Sequence, residues 1–238
     1  MRYLMIVQYS GLNYNGFQKQ NNGNAVQNLL ESALKTILKE NVNCIGSGRT
    51  DAKVSAFMQP VHFDVEKEID TNKVLNSLNG ILPNDIKVLS LIKSNTHARF
   101  DAKQKTYCYK MYVSNTDLPL YNNALKISPN LDFKAMKKFL KMIVGTHDFK
   151  GFMASGSETE TTVRTIFSAK LKKENQYLNF YVTGNGFLYK MVRNIVGTML
   201  KIGEGKLNLK ELKQNLFTTF KATNTAKPEF LNLMNVKY

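Results

Sequence analysis

The sequence predicts an α/β (α+β) protein made of two similar mixed-sheet units. Three observations predict it. Period-2 apolar stretches and helical-period stretches alternate in the same rhythm twice along the chain. The 238 residues, at about 150 per domain, suit one large domain or two small ones. Apolar residues make up 43% of the chain, enough to fill real cores and too many for a disordered basic tail.

Each element has its own pattern. Tyr3, Met5, Val7 and Tyr9 alternate with Leu4, Ile6 and Gln8 in a first strand over residues 2–10. Gly11 to Gly23 is rich in Asn and Gly and reads as a loop. Asn24 then offers an N-cap to a helix whose Val26, Leu29, Leu30, Ala33, Leu34, Ile37 and Leu38 keep helical spacing. Val42 to Ile45 is a short strand, broken by Gly46-Ser47-Gly48. Val61, Phe63 and Val65 share one face of another strand. A helix from Lys73 to Leu78 and a strand from Ile86 to Ile92 end the first half.

The second half opens on a strand in which Tyr107, Tyr109, Met111 and Val113 alternate with Cys108, Lys110 and Tyr112. A helix from about Asp132 to Val144 offers Phe133, Met136, Leu140, Ile143 and Val144 to a core. Strands follow near Thr165–Lys172 and Tyr177–Thr183. In the strongest helix, Leu188, Met191, Val192, Ile195, Val196 and Met199 fall on one stripe, and Gly203 and Gly205 end it. A short helix near Leu209–Phe217 and a strand near Phe230–Val236 complete the chain. No linker separates the halves; the boundary is placed near residue 100, giving domains 1–100 and 101–238.

The charge is strongly positive: 33 Lys plus Arg against 18 Asp plus Glu, a formal net +15. It is spread along the chain, which favours a folded basic surface and a polyanionic partner over a basic arm. No apolar run approaches the ~20 residues that span a bilayer, and the first residues lack a signal-peptide core; a cytoplasmic protein is expected, with no membrane partner. Two cysteines, Cys44 and Cys108, exclude a disulfide framework and any multi-cysteine metal site.

Motif searches narrow the chemistry. Gly46-Ser47-Gly48-Arg49-Thr50 lacks the Lys and leading Gly of a phosphate loop, and Gly184-Asn185-Gly186 lacks the third Gly of a dinucleotide fingerprint. His62, His97 and His147 have no zinc-ligand spacing. No cofactor and no metal are therefore expected. Gly48-Arg49-Thr50-Asp51-Ala52 sets a carboxylate beside a cation on a Gly-flanked loop. It reads either as a plain turn or as an aspartate kept ionised to act as nucleophile or base. Arg193 lies roughly 140° from Leu188 at 100° per residue, off an apolar stripe centred near 20°. It is either a surface arginine or a cation turned into a cleft. Tyr107 and Tyr109 share a strand face downstream of Arg99 and Phe100, as core packing or as a stacking platform for a base.

Taken in order, these stretches resemble the TruA-type tRNA pseudouridine synthases over nearly the whole chain. The matching blocks are Gly16-Phe17-Gln18, Gly48 to Ala52, His97-Ala98-Arg99-Phe100, Gly145 to Phe149, Arg164-Thr165-Ile166 and Gly186 to Gly197. The resemblance implies two α/β domains flanking a central basic cleft, a homodimer, and a tRNA substrate modified at uridines of the anticodon stem-loop, conventionally positions 38 to 40. By the same resemblance Asp51 is the catalytic aspartate, Arg193 its partner, and Tyr107 the group that lies against the uracil and removes the C5 proton. Arg49 takes the space of the flipped nucleotide. His97, Arg99, Phe100 and Arg164, with the 155–164 loop, position the RNA.

The chain departs from the family pattern in Lys53-Val54-Ser55, where Gly-Val-His is usual, and in Ser10, Lys190 and the stretch Ala226 to Leu231. Lys53 replaces a residue that tolerates positive φ, and Ser55 removes a ring. Two rival readings stand beside this one: a non-catalytic RNA-binding protein or RNA chaperone, and a pseudouridine synthase for another RNA. The chaperone accounts for the charge and the tyrosines but gives no reason for a carboxylate beside RNA phosphates.

Overall fold

A computed structural model describes residues 1–20, 24–156 and 159–238. The chain forms two compact units: Met1–Lys103 with Asn232–Tyr238, and Gln104–Leu231. A single cut near residue 100 leaves the last seven residues with the second half. In the structure they return to the first.

In the first unit, β1 (Arg2–Tyr9) lies antiparallel between β3 (Ser55–Asp64) and β4 (Ile86–Lys93). Tyr3, Met5, Val7 and Tyr9 are buried, and the residues between them are half-buried, as the alternation predicts. The two-residue β2 (Ile45–Gly46) pairs with β3, so the strand expected at Val42 is shorter and later. β11 (Leu231–Lys237) runs parallel to β3, pairing Asn232 with Ser55 and Leu233 with Ala56. Lys103 N–H to the Lys237 carbonyl (2.9 Å) and Tyr238 hydroxyl to the Ala98 carbonyl (2.9 Å) fasten that last strand.

Helix α1 (Val26–Leu38) starts without the Asn24 cap. Its N-cap position is Ala25, and the Asn24 amide instead reaches the Asn13 carbonyl at 3.4 Å. Backbone carbonyls take over the capping: Gly16 accepts from Val26 N–H (3.2 Å) and Phe17 from Gln27 N–H (2.9 Å). The orphan donors of the first turn are thereby satisfied by the preceding loop, which is welded to the helix. Helix α2 (Thr71–Ile81) does have a side-chain cap. Asp70 accepts from Asn72 and Lys73 N–H, both at 3.1 Å, a contribution of about 1 kcal/mol.

In the second unit, β10 (Tyr177–Gly184) pairs on one side with β9 (Val163–Glu174) and on the other with β5 (Gln104–Tyr109) and then β6 (Met111–Val113). β7 (Leu125–Ile127) extends the sheet beyond β6, and β8 (Gly145–Asp148) beyond β9. The single strand expected through Val113 is interrupted at Lys110, whose N–H turns to the Phe230 carbonyl and whose carbonyl accepts from Leu125 N–H, both at 3.0 Å. Helices α3 (Phe133–Met142), α4 (Met191–Gly203) and α5 (Leu209–Asn215) complete the unit. The expectation of a core position fails for Val144, which lies beyond the end of α3 and is exposed.

Helix α4 is covered nearly all round. Besides its apolar stripe, Asn194 and Thr198 are buried. The Asn194 amide donates to the Phe152 carbonyl (2.8 Å) and its oxygen accepts from the Thr225 hydroxyl (2.6 Å). A Cβ on Gly197 would fall 2.0 Å from the Asn224 carbonyl oxygen, so glycine lets residues 222–226 lie flat on the helix. Leu188 lies outside the helix, which begins three residues later, after Lys190 in the left-handed region (φ +57°). Among the described residues no helix is long and apolar enough to cross a membrane.

Candidate active site

Asp51 belongs to the first unit and is half-buried on the loop between β2 and β3. Almost every residue around it is held by a group distant in sequence. The buried Gln59 side chain of β3 accepts from the Ser47 hydroxyl (2.8 Å) and donates to the Gly48 carbonyl (2.6 Å). The Thr50 hydroxyl is hydrogen-bonded to the Tyr9 hydroxyl at 2.8 Å, and the Thr50 carbonyl accepts from Phe17 N–H at 3.2 Å. Beyond the aspartate, Lys53 N–H donates to the Tyr14 carbonyl (3.1 Å) and Val54 N–H to the Asp51 carbonyl (3.1 Å). Ser55 Oγ accepts from Gly11 N–H (2.9 Å).

Gly16 is needed for this stacking of two loops. Its φ is +99°, and a Cβ there would lie 2.6 Å from the Thr50 carbonyl oxygen. Lys53 occupies the left-handed region at φ +67°, so the conformation survives the loss of a more permissive residue at some strain. Arg49 is exposed beside the aspartate.

His97, Arg99 and Phe100 form a second cluster in the same unit. His97 Nδ1 accepts from Arg99 N–H (3.3 Å) and Phe100 N–H (3.1 Å), while His97 N–H donates to Asp101 Oδ2 (2.8 Å). This reciprocal cap leaves Nδ1 as an acceptor, placing the proton of the neutral ring on Nε2. The His97 ring lies between His62, at 4.4 Å, and Phe100, stacked at 4.3 Å. Phe100 is 76% exposed, with the Arg99 guanidinium 5.7 Å from its centre. Phe100 thus presents an apolar ring to solvent, backed by a histidine and an arginine. Behind it, His62 Nδ1 accepts from Ala98 N–H (3.0 Å), anchoring the turn to β3. Burial, with Arg2 and His97 nearby, pushes the His62 ring down to about 4.

The second unit carries Tyr107, Arg164 and Arg193. Tyr107, on β5 opposite Val182, is buried and meets the Phe187 ring edge to face at 5.3 Å. Tyr109, two residues on, has a hydroxyl buried with no hydrogen-bond partner, and burial pushes its ionisation up. Both are buried, Tyr107 at 8% exposure and Tyr109 at 0%.

Arg193 is half-buried on α4. Its Nε donates to the Ala226 carbonyl at 2.7 Å, and its own carbonyl accepts from Ala226 N–H at 3.1 Å. One side of the guanidinium is thus fixed. Arg164 turns back onto its own chain, donating to the Thr161 and Val163 carbonyls at 2.8 and 2.7 Å, and burial lowers its basicity. What it orders directly is the 159–163 segment; Ser157 and Glu158 of the expected 155–164 loop lie outside the described residues.

At Gly184-Asn185-Gly186 the chain is closely approached by β9. A Cβ on Gly184 would sit 2.8 Å from the Thr165 carbonyl oxygen, and one on Gly186 3.6 Å from Arg164 Nε. Sequence reading did not find Tyr9, Thr50, Gln59 and Phe187 as supports of the site. No sequence signal marked Gln59, whose full burial beside exposed Met58 emerges only from the fold. Among the described residues no group of three or more His, Cys, Asp or Glu side chains could hold a metal ion. Cys44 and Cys108 are buried free thiols, with Cys108 pushed up to about 11, so neither is an activated nucleophile.

The sequence pattern of the tRNA pseudouridine synthases matches residues 5–101 and 139–238. The chain belongs to that family. Among its relatives in the tRNA pseudouridine synthase family is tRNA pseudouridine synthase A of Thermoanaerobacter sp. strain X514, 39% identical over 240 residues, covering 99% of this chain and 98% of the relative. The Acetivibrio thermocellus protein of the same name is 39% identical over 241 residues, covering 98% of each chain. The one from Streptococcus agalactiae is 40% identical over 218 residues, covering 89% of this chain and 84% of its own. Arg49, Asp51, His97, Arg99, Phe100, Arg164 and Arg193 fall within the segments matched by the tRNA pseudouridine synthase pattern; Tyr107 falls between them.

Proposed function

We propose that this tRNA pseudouridine synthase converts uridine to pseudouridine in the anticodon stem-loop of tRNA, conventionally at positions 38 to 40, with Asp51, Tyr107 and Arg193 as its catalytic residues. The reaction breaks the N1–C1′ bond, turns the uracil and joins C5 to C1′. N1 gains a proton and C5 loses one, so the change is an isomerisation that balances without a redox partner or a transferred group.

Asp51 acts on the ribose, as nucleophile at C1′ or as base at C2′; both routes require the carboxylate. Arg193, already anchored through Nε to Ala226, keeps that carboxylate ionised and oriented. Tyr107, backed by Phe187, lies against the uracil and takes the C5 proton. The uridine must first leave its stack, at a cost of a few kcal/mol. Arg49 fills the vacated space, while His97, Arg99, Phe100 and Arg164 position the RNA or the segments that hold it. The enzyme works as a cytoplasmic homodimer and takes up no cofactor or metal.

The observation that carries this reading is the strapping of the Asp51 loop by Tyr9, Tyr14, Phe17 and Gln59. Catalysis by a carboxylate needs such preorganisation. An RNA chaperone, for which a carboxylate opposes the phosphates, gains nothing from it.

The test is mass-spectrometric mapping of pseudouridine in an unmodified tRNA transcript incubated with the purified protein in buffer containing chelator. Modification confined to the uridines of positions 38 to 40 is expected. Modification at other positions, or only in a different RNA, overturns the site assignment.

A further inference from the structure

One charged surface is not used by this mechanism. Lys134, Lys137, Lys138 and Lys141 occupy positions i, i+3, i+4 and i+7 of α3 and are all exposed, so they fall on one stripe of the helix. The opposite face, with Met136, Phe139 and Leu140, is buried. Residues 133–142 include no acid at all, and among the described residues no side chain pairs with any of the four ammonium groups. Nearby carboxylates are engaged elsewhere: Asp132 accepts from Ala135 N–H at 2.9 Å, and Glu204 pairs with Lys206 at 2.8 Å.

Like charges three and four apart on a helix repel one another. A merely solvated face is better served by mixed signs, so a row of four unneutralised lysines calls for an anionic partner. The stripe is about 10 Å long and rigidly mounted. Asp132 N–H donates to the Gly203 carbonyl (2.8 Å), and Gly203 lies so close to Met136 that a Cβ there would meet its sulfur at 2.7 Å. Gly203 ends the helix that carries Arg193, ten residues or about 15 Å along its axis. That is too far to serve the nucleotide being isomerised. Lys134, Lys137 and Lys138 also lie in the stretch the family pattern passes over.

We propose that the α3 lysine stripe binds the phosphate backbone of a helical arm of tRNA away from the target uridine, adding affinity without reading sequence. The proposal rests on tRNA being the substrate.

The test is a K134Q/K137Q/K138Q/K141Q variant, compared with a charge-matched K35Q/K39Q/K67Q/K73Q variant. Binding of full-length tRNA is measured across a salt series, alongside kcat/KM on an isolated anticodon stem-loop. Each phosphate that the variant no longer neutralises lowers the slope of log K against log salt by roughly 0.7–0.9. The stripe variant should therefore lose about 3 from the slope and on the order of 100-fold in affinity near physiological salt, while its kcat/KM on the stem-loop stays within twofold. The charge-matched variant should keep most of the slope. Equal losses in both variants, or no loss in either, overturn the proposal, and so does an equal loss on stem-loop and full-length tRNA. Binding is read without catalysis. A wild-type protein that binds tRNA but forms no pseudouridine would therefore count against the isomerase reading and not against the stripe.

Discussion

Two tyrosines on one strand are given different parts: Tyr107 is the proposed proton acceptor and Tyr109 a structural residue. Tyr107 meets Phe187 at the edge of a packed region, whereas Tyr109 is fully buried with an unpaired hydroxyl. Sequence alternation places both on one face and cannot tell them apart, because what differs is how far the sheet is covered above each. An unpaired buried hydroxyl costs about 1–3 kcal/mol. Tyr109→Phe should accordingly leave turnover unchanged and raise stability by about 1 kcal/mol, read as a shift in the urea midpoint. Tyr107→Phe should reverse that pattern, with little change in stability and turnover lowered at least 100-fold (about 2.7 kcal/mol of barrier). Near-normal turnover in Tyr107→Phe would move the C5 proton acceptor elsewhere. Arg193→Ala should be severely impaired as well, since it removes both the fork and the tether to Ala226.

At the scale of elements, the Asp51 loop works because a second loop lies beneath it. Gly16→Ala adds a methyl group 2.6 Å from the Thr50 carbonyl oxygen at a φ of +99°. It should cost roughly 1–3 kcal/mol and lower activity by more than the stability loss explains, because the displaced atoms lead directly into Asp51. The Asp51 motif itself was legible in the sequence. Its supports were not, since Tyr9 and Thr50 stand 41 residues apart and meet only after β1 has paired with β3. The same holds for α1, whose first N–H groups are met by the Gly16 and Phe17 carbonyls where Asn24 looked the natural cap. Strong periodicity carried the major helices and strands. Short strands such as β7 and β8 are built by pairing, with too few residues to show a period.

His62 ties β3 to the 97–101 turn and makes that junction sensitive to acid. Its folded value of about 4 lies below the ordinary 6.5, so as pH falls the unfolded chain takes up the proton first. The contribution to stability is complete above about pH 6.5 and drains away as pH drops toward 4. His62→Asn, which keeps an acceptor for Ala98 N–H, should lose less stability than wild type between pH 7 and 4.5 in urea titrations. Parallel losses would place the acid-sensitive group elsewhere.

For the whole molecule, the net +15 now has a distribution with meaning. Lysine and arginine are spread over both units, and RNA affinity should fall steeply with salt in wild type. The chain divides its candidate chemistry between its units, with Asp51 in one and Tyr107 and Arg193 in the other. The last strand returns to the first unit through Tyr238 and Lys237. That return was not legible because a closing strand near Phe230 carries no mark of which sheet it joins.

Whether Asp51 is the reacting carboxylate is best decided by a single-turnover comparison of wild type and Asp51→Ala on one tRNA transcript, with tRNA affinity measured on the same preparations. An essential carboxylate on a strapped loop predicts no pseudouridine from Asp51→Ala and a Kd within a few-fold of wild type. Pseudouridine formed by Asp51→Ala at the wild-type rate would contradict it.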